Sequence, residues 1–455
     1  MGIASLIQEF GNVLQRNRAI IRAIQWMVIC FYIVLLIIPS FMRLPDRQAH
    51  ILDNMVLFAQ FVFWGVWWPF VILSMLVMGR LWCGVFCPEG ALTEYTSLKL
   101  GRNRSIPRWL KWRGWPTVAF ILTTLYGQLI SVYDYAIAAL LILGGSTLAA
   151  IVVGFLFGSG TRVWCRYLCP VSGVFNLLSR LSPVCFKTDQ QVWSEYRGKP
   201  QGNPQCPPMI NIHQLHGVSS CHMCGRCSGY RNAVSLQFRS PTEEVVIYGV
   251  RKDNRWEIRL LLFGMIGVAI GAFTWTVCPW FVTYKQSIAG FLVDHNIFWP
   301  LDATAPWWLL TNYPANNDSF NWVDGFCVAT YIVGCGVAFG LFLTLILQVI
   351  AWLNLKQEMK NHLAQAFLPL AAAGLFLGLT ATTVKLLLYN GISFSWTNDL
   401  RAFILVGTFI WSCYLAYKII CSYDLAKIKA ICSLVLFIVA SLPIAAAWWF
   451  MFWGW

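Results

Sequence analysis

Apolar residues along this chain do not alternate with polar ones in the short periods of a water-soluble fold. They come in uninterrupted blocks, and the blocks predict helices near 25–42, 55–79, 116–133, 136–158, 258–278, 324–352, 366–389, 401–421 and 430–450. About twenty apolar residues at a rise of ~1.5 Å each match the ~30 Å hydrocarbon layer of a bilayer. The pattern therefore predicts an all-α, polytopic membrane protein of about nine spans. The first block follows the basic residues Arg16, Arg18 and Arg22 and runs on into Pro39 and Arg43 with no small-residue cleavage site, so it reads as a retained anchor.

Two polar stretches interrupt the blocks and divide the chain into three expected parts. Residues 1–179 form a membrane region, 180–257 a small cytoplasmic, cysteine-rich insert, and 258–455 a second membrane region with an outer loop at 279–323. The insert is too short to bury a large core of its own and is expected to fold around whatever its cysteines hold.

Composition agrees: 58% of the 455 residues are hydrophobic, 11% are charged and 24 are tryptophan. These values exclude a secreted disulfide scaffold and a disordered chain. The net charge of +14 would suggest nucleic acid, but its distribution points elsewhere. With a cytoplasmic N-terminus, 28 of the 33 Lys and Arg fall on cytoplasmic segments, leaving Arg43, Arg47, Lys285, Lys385 and Arg401 outside. That is the positive-inside bias, so the charge encodes orientation, and no nucleic-acid partner is expected.

The chain carries an internal repeat. RLWCGVFCPEGAL at 80–92 aligns with RVWCRYLCPVSGV at 162–174, and each copy follows a pair of predicted spans. Such a parallel repeat implies a pseudo-twofold axis along the membrane normal, which would bring Cys83, Cys87, Cys165 and Cys169 towards one point. The proline after each second cysteine suits the first position of a helix, whose N-terminus would offset thiolate charge, aided by Arg80, Arg162 and Arg166. Two ordinary pairs of interfacial thiols are the plainer alternative.

A second group, SSCHMCGRCSGYR, spaces Cys221, Cys224 and Cys227 as C-x2-C-x2-C, the way three thiolates wrap one corner of an iron–sulfur cube. The x3-C-P that would complete a ferredoxin motif is replaced by Arg231 and Asn232, so a fourth ligand must come from Cys206 or from its rival Cys185. Zinc is the competing occupant, although its usual sites pair two hooks where this segment has a triple. A cytoplasmic location disfavours disulfides here. His222 reads as a neighbour of the site, and His213 and His216 as surface residues.

Paired C-x3-C-P motifs after membrane helices, with a C-x2-C-x2-C motif on the same face, resemble the membrane polyferredoxins of the NapH, NosR and CcoG type over residues 55–240. The resemblance implies 4Fe-4S clusters in a bacterial inner membrane and electron transfer that serves a membrane or periplasmic partner. The longer C-terminal part is similar in layout to the polyferredoxin variant found with bacterial ferrous-iron uptake permeases. The expected cofactors are one or two 4Fe-4S clusters, on Cys83, Cys87, Cys165 and Cys169 and on Cys206, Cys221, Cys224 and Cys227. The expected partners are the lipid bilayer, a cytoplasmic electron donor or quinol, and a membrane or periplasmic redox system of the iron-uptake or reductase kind.

The remaining features are less specific. None of the six histidines lies centrally in a span, which disfavours haem. Lys385 either snorkels or holds an anionic quinone. GLTATTVK at 378–385 lacks the residue order of covalent flavin sites and reads as helix-to-helix hydrogen bonding. Cys278 and Cys327 form a disulfide or are small buried residues, and Asp294, His295, Asp302 and Asp318 dock a cation or are solvated. Two rival functions remain. A metal-ion transport or sensing subunit would need polar groups in mid-span, which are scarce; a thiol–disulfide relay leaves the C-x2-C-x2-C triple unexplained.

Overall fold

The structure is a computed structural model that describes all residues except 1, 47, 199–201, 203, 218 and 251–254, together with the side chain at position 3. Arg47, counted above among the outer cations, therefore lies outside the described residues. Among the described residues, eight helices are long and apolar enough to cross a bilayer: Arg18–Phe41, Met55–Met78, Ala136–Phe157, Arg255–Thr274, Trp322–Leu353, Glu358–Tyr389, Thr397–Cys421 and Lys427–Gly454. The protein is an all-α, multi-pass membrane protein.

One of the nine apolar blocks forms a shorter helix than the others. The block at 116–133 forms a helix of only 15 residues, Trp115–Leu129, about 22 Å long and short of the hydrocarbon thickness. It stops where Val132 N–H turns back to the Gly127 carbonyl at 2.9 Å and Ser131 takes the left-handed conformation, φ +50°. Elsewhere side chains set the ends. Asn54 accepts from the Val56 and Leu57 amides at 2.9 and 3.2 Å, and Asn321 with Asp324 closes a capping box at the start of Trp322–Leu353.

The chain folds as two compact units. One comprises Ile38–Pro69, Phe120–Ile142 and Lys252–Trp455. Small residues set its helix packing: a Cβ on Gly267 would lie 2.7 Å from the Gly336 Cα, so Arg255–Thr274 and Trp322–Leu353 meet backbone to backbone. Thr383, in the GLTATTVK stretch, donates to the Gly65 carbonyl at 2.6 Å, a bond from one helix to another. Outside the spans lie the helix Pro279–Asp294 and a short hairpin of Asn312–Tyr313 with Asp318–Ser319.

The outer-loop expectations resolve in this unit. Asp318 accepts from the Tyr135 hydroxyl at 2.6 Å, and His295 Nδ1 bonds the Phe291 carbonyl at 2.8 Å. No group of metal-ligating side chains is found among the described residues, so Asp294, His295, Asp302 and Asp318 do not form a metal site. Cys278 and Cys327 are free and buried in one apolar cluster with Phe281 and Val323.

The other unit comprises Met1–Ile37, Phe70–Ala119 and Leu143–Arg251, and it holds all eight candidate cysteines. Strands Val184–Thr188 and Val234–Phe238 pair antiparallel, with Phe186 opposite Leu236. Their inward residues make a core with Leu14, from the N-terminal helix Ile3–Arg16, and with Leu81 and Val85 from the first cysteine motif. The insert thus does not fold around its cysteines alone. It borrows apolar surface from two distant segments, as so short a segment must to bury a core.

Candidate cysteine site

The two halves of the repeat fold alike. In the first, a single helical turn, Leu81–Val85, is followed by amides of Phe86 and Cys87 that both bond the Trp82 carbonyl at 2.9 Å. In the second, the turn Val163–Tyr167 is followed by amides of Leu168 and Cys169 that bond the Trp164 carbonyl at 2.9 and 3.0 Å. After Cys87 the chain enters the helix Pro88–Lys99 with proline at the first position, and the Cys87 sulfur accepts from the Gly90 amide at 3.4 Å. The copies diverge at this point. After Cys169 and Pro170 the next helix, Ser172–Leu178, begins two residues later.

Cys83 and Cys165 are buried, Cys87 and Cys169 half-buried. Burial pushes the Cys87 thiol well up, and the neighbouring Cys165 and Cys83 add to it. Cys169 is raised by burial, by Glu89, and by Cys165, Cys87 and Cys83. Burial pushes Cys165 up to about 12, against the opposing pull of Arg162. The four therefore share one electrostatic neighbourhood.

The second set gathers in the same sense. Cys206, Cys221, Cys224 and Cys227 line one cavity of ≈ 20 Å³. Burial raises Cys221 and Cys227, with the other cysteines of the set as further causes, and raises Cys206 to about 11. Cys185 lies apart: it is buried on a strand, and its charged neighbours are Arg239, Glu244, Glu243 and Lys187. His213 is exposed with Trp193 edge-on to it, and His216 lies in a bridge to Lys187. His222 is buried, and burial drives its imidazole well below the usual range, with Arg80, Arg162 and Arg166 acting in the same direction.

The two sets meet at Gly84. A Cβ there would lie 2.1 Å from the His222 carbonyl oxygen and 3.0 Å from the Cys224 amide, so only a glycine lets the first motif approach the insert this closely. A buried carboxylate ties the parts together. Arg162 is 1% exposed and Glu94 6%, and Arg162 Nε donates to Glu94 Oε2 at 2.7 Å while Arg226 of the insert pairs with Glu94 Oε1. Burial alone would raise the Glu94 carboxyl, but the charges of Arg162 and Arg226 outweigh it and hold it below the ordinary range.

Arg162 also donates to the Cys83 carbonyl. Its amide bonds the Pro207 carbonyl at 2.7 Å, and Arg166 donates to the Pro208 and Met209 carbonyls at 2.6 and 2.9 Å, fixing the second motif to the loop that carries Cys206. Arg80 donates to Ser172 Oγ at 3.1 Å. The arginines therefore organise backbone and carboxylate around the cysteines.

Two acids were missed from sequence. Glu89 accepts from Ser146 Oγ at 2.6 Å and Trp164 Nε1 at 3.0 Å, and burial raises its carboxyl. Glu94 is the hub just described. The only sequence signal for Glu89 was its place directly after the C-P of one repeat copy, where the other copy has Val171.

The cofactor expectation is corrected. Among the described residues, no three or more Cys, His, Asp or Glu side chains are arranged so that they could hold a metal ion. The eight cysteines share neighbourhoods without forming a coordination geometry. The residues as arranged do not fit one or two 4Fe-4S clusters, nor zinc.

Comparison with known sequences bears on the same region. The profile of a 4Fe-4S binding domain matches residues 60–107 and again 140–187, one match for each copy of the repeat. The chain is 24% identical over 232 residues to the Escherichia coli protein named "Putative electron transport protein YccM", covering 44% of this chain and 62% of that one. It is also 24% identical over 183 residues to "Uncharacterized protein MJ0749" of Methanocaldococcus jannaschii, covering 38% of this chain and 69% of that one. The chain thus spans somewhat less than two thirds of the length of YccM. No solved structure matches. The polyferredoxin resemblance holds at this level: a doubled 4Fe-4S binding domain pattern and weak similarity to a protein named for electron transport.

Proposed function

We propose that this chain is a membrane-bound electron-transfer protein whose redox site is built on Cys83, Cys87, Cys165, Cys169, Cys206, Cys221, Cys224 and Cys227. The observation that supports it most is the junction at Gly84, where the repeat motifs and the C-x2-C-x2-C motif pack against each other within one unit. The name of the YccM relative points the same way. In this reading the protein sits in a bacterial inner membrane with its cysteines on the cytoplasmic side, as the distribution of Lys and Arg suggests. It takes electrons from a cytoplasmic donor or quinol and delivers them to a membrane or periplasmic partner of the reductase or iron-uptake kind.

A second reading, a thiol–disulfide relay, is favoured by one observation: neighbouring thiols with no metal geometry among the described residues. In such a relay two thiols form one disulfide and release two electrons and two protons to the acceptor. A reductive titration of anaerobically purified protein, with electrons, free thiols, iron, zinc and acid-labile sulfide counted per chain, tests both. Reversible electron uptake that Cys83→Ser and Cys224→Ser abolish supports electron transfer, and uptake matched by the appearance of two thiols per two electrons selects the relay. Absence of uptake overturns both readings, zinc without uptake points to metal transport or sensing, and iron with sulfide would overturn the correction made above.

A further inference from the structure

Between the start of the first span and the helix Pro88–Lys99 lies a cavity of ≈ 390 Å³. Its lining includes four cations, Arg18, Arg22, Lys99 and Arg226, and a single carboxylate, Glu94. That carboxylate is already engaged by Arg162 and Arg226. Arg18 donates to the Arg226 carbonyl at 3.3 Å, and Arg22 and Lys99 have no carboxylate partner among the described residues. A cavity with this balance attracts an anion.

Along the first span the cations occupy only one end. Arg18, Arg22, Gln25 and Ile29 fall on one stripe of the helix Arg18–Ile37, so the wall changes from basic to apolar over about 16 Å. Trp26 and Tyr95 meet edge-to-face at 5.2 Å beside it, and both are exposed, as is Leu98. Aromatic side chains exposed at the end of a span are those of a membrane interface. A basic head beside an apolar, lipid-facing tail is complementary to a molecule that is anionic at one end and hydrocarbon at the other. A soluble phosphate would leave the apolar end unused.

We propose that this cavity binds an anionic phospholipid, with the phosphate held by Arg18, Arg22 and Lys99 and an acyl chain lying along Trp26, Ile29 and Leu98. The site adjoins the cysteines, because Cys224 and Gly84 are part of its wall and Gln25 donates to the Gly84 carbonyl at 3.1 Å. A bound headgroup therefore covers the approach to Cys224. The inference does not rest on the redox reading and stands if that reading fails.

The test uses the full-length chain in nanodiscs of phosphatidylcholine alone or mixed with phosphatidylglycerol. Native mass spectrometry reads the lipid retained, and peptide mapping reads the rate of Cys224 alkylation. Retention of phosphatidylglycerol and slower alkylation of Cys224 in its presence are expected. Arg22→Gln with Lys99→Gln should weaken retention about fivefold per charge removed, while Arg22→Lys keeps it. Lys99→Glu alone, at an exposed position, gives the same reading should the double variant fail to fold. Equal retention by the native chain and the charge variants, or no preference for phosphatidylglycerol over phosphatidylcholine, would overturn the proposal. Protection of Cys224 by inorganic phosphate or AMP in detergent as strong as that by phosphatidylglycerol would overturn the lipid assignment in favour of a soluble phosphate ligand.

Discussion

The two units are held together by different physics. In the unit that carries the cysteines, buried charges do much of the holding: Arg162 with Glu94, and Arg239 with Glu244, whose guanidinium also donates to the Ser179 and Ser182 carbonyls at 2.8 Å. In the other unit helices meet through close backbone approaches, such as that of Gly267 to Gly336, and through hydrogen bonds such as Thr383 to Gly65. A buried ion pair tolerates no loss of one partner, because the other is left desolvated and uncompensated. Helices in lipid pack by shape and lose little when one hydrogen bond is removed. The first kind of unit is sensitive to the loss of one charged partner, the second to the loss of shape at its glycine contacts more than to the loss of a single hydrogen bond.

The largest effect that would expose this difference is expected from Glu94→Ala, which leaves Arg162 buried without a carboxylate. A loss of about 3–5 kcal/mol is expected. It is measured by denaturant unfolding of the cysteine unit, followed through Trp82 and Trp164 fluorescence in variants that retain only those tryptophans of the unit. A loss under about 1 kcal/mol would show that the pair holds nothing.

Next in size is Gly84→Val, which forces atoms into the His222 carbonyl. Overpacking of about 1–3 kcal/mol is expected, together with exposure of Cys224 to alkylation. Unchanged alkylation would mean that the motif and the insert part easily.

Acid should separate the units as well. The Glu94 carboxyl is held below its unfolded value, so its contribution is complete above the ordinary carboxylate range and is lost as pH falls through the lowered folded value. A thermal unfolding series from neutral to acidic pH should show a loss that Glu94→Gln no longer shows, because that variant has lost the contribution at every pH. The smallest effect belongs to the apolar unit. Thr383→Val removes the bond to Gly65 and should cost about 0.6 kcal/mol, readable only by a paired comparison of unfolding midpoints.

Much of this architecture was legible in the sequence, and what was not has a common cause. Eight spans could be read because hydropathy is a local property of each block. The end of the helix in the block at 116–133 was not legible, because composition does not report where Ser131 reverses the backbone. The repeat was legible because five identities align, and the structure returns the same amide pairing onto Trp82 and Trp164.

Glu94 was not legible. In T-E-Y-T-S it looks like a solvated interfacial acid, and its burial depends on Arg162 and Arg226, 68 and 132 residues away. The cofactor reading failed for a related reason. Spacing places thiols near one another, but whether they become ligands depends on three-dimensional arrangement, which spacing does not contain.

The contribution of the N-terminal helix to the insert's core has a temporal consequence. About 220 residues separate Leu14 from Leu236, with which it packs, and at a synthesis rate of about 5–20 residues per second the helix emerges roughly 10–40 s before the strand that covers it. During that interval the core it joins lacks Val234 and Leu236. Phe10 and Val13 remain exposed even in the finished fold. The nascent helix is amphipathic enough to wait on the membrane surface beside its own first span. The core around Leu14 is thus completed by its last strand, and a ribosome stalled before Val234 would leave every cysteine motif made while that core still lacked Val234 and Leu236.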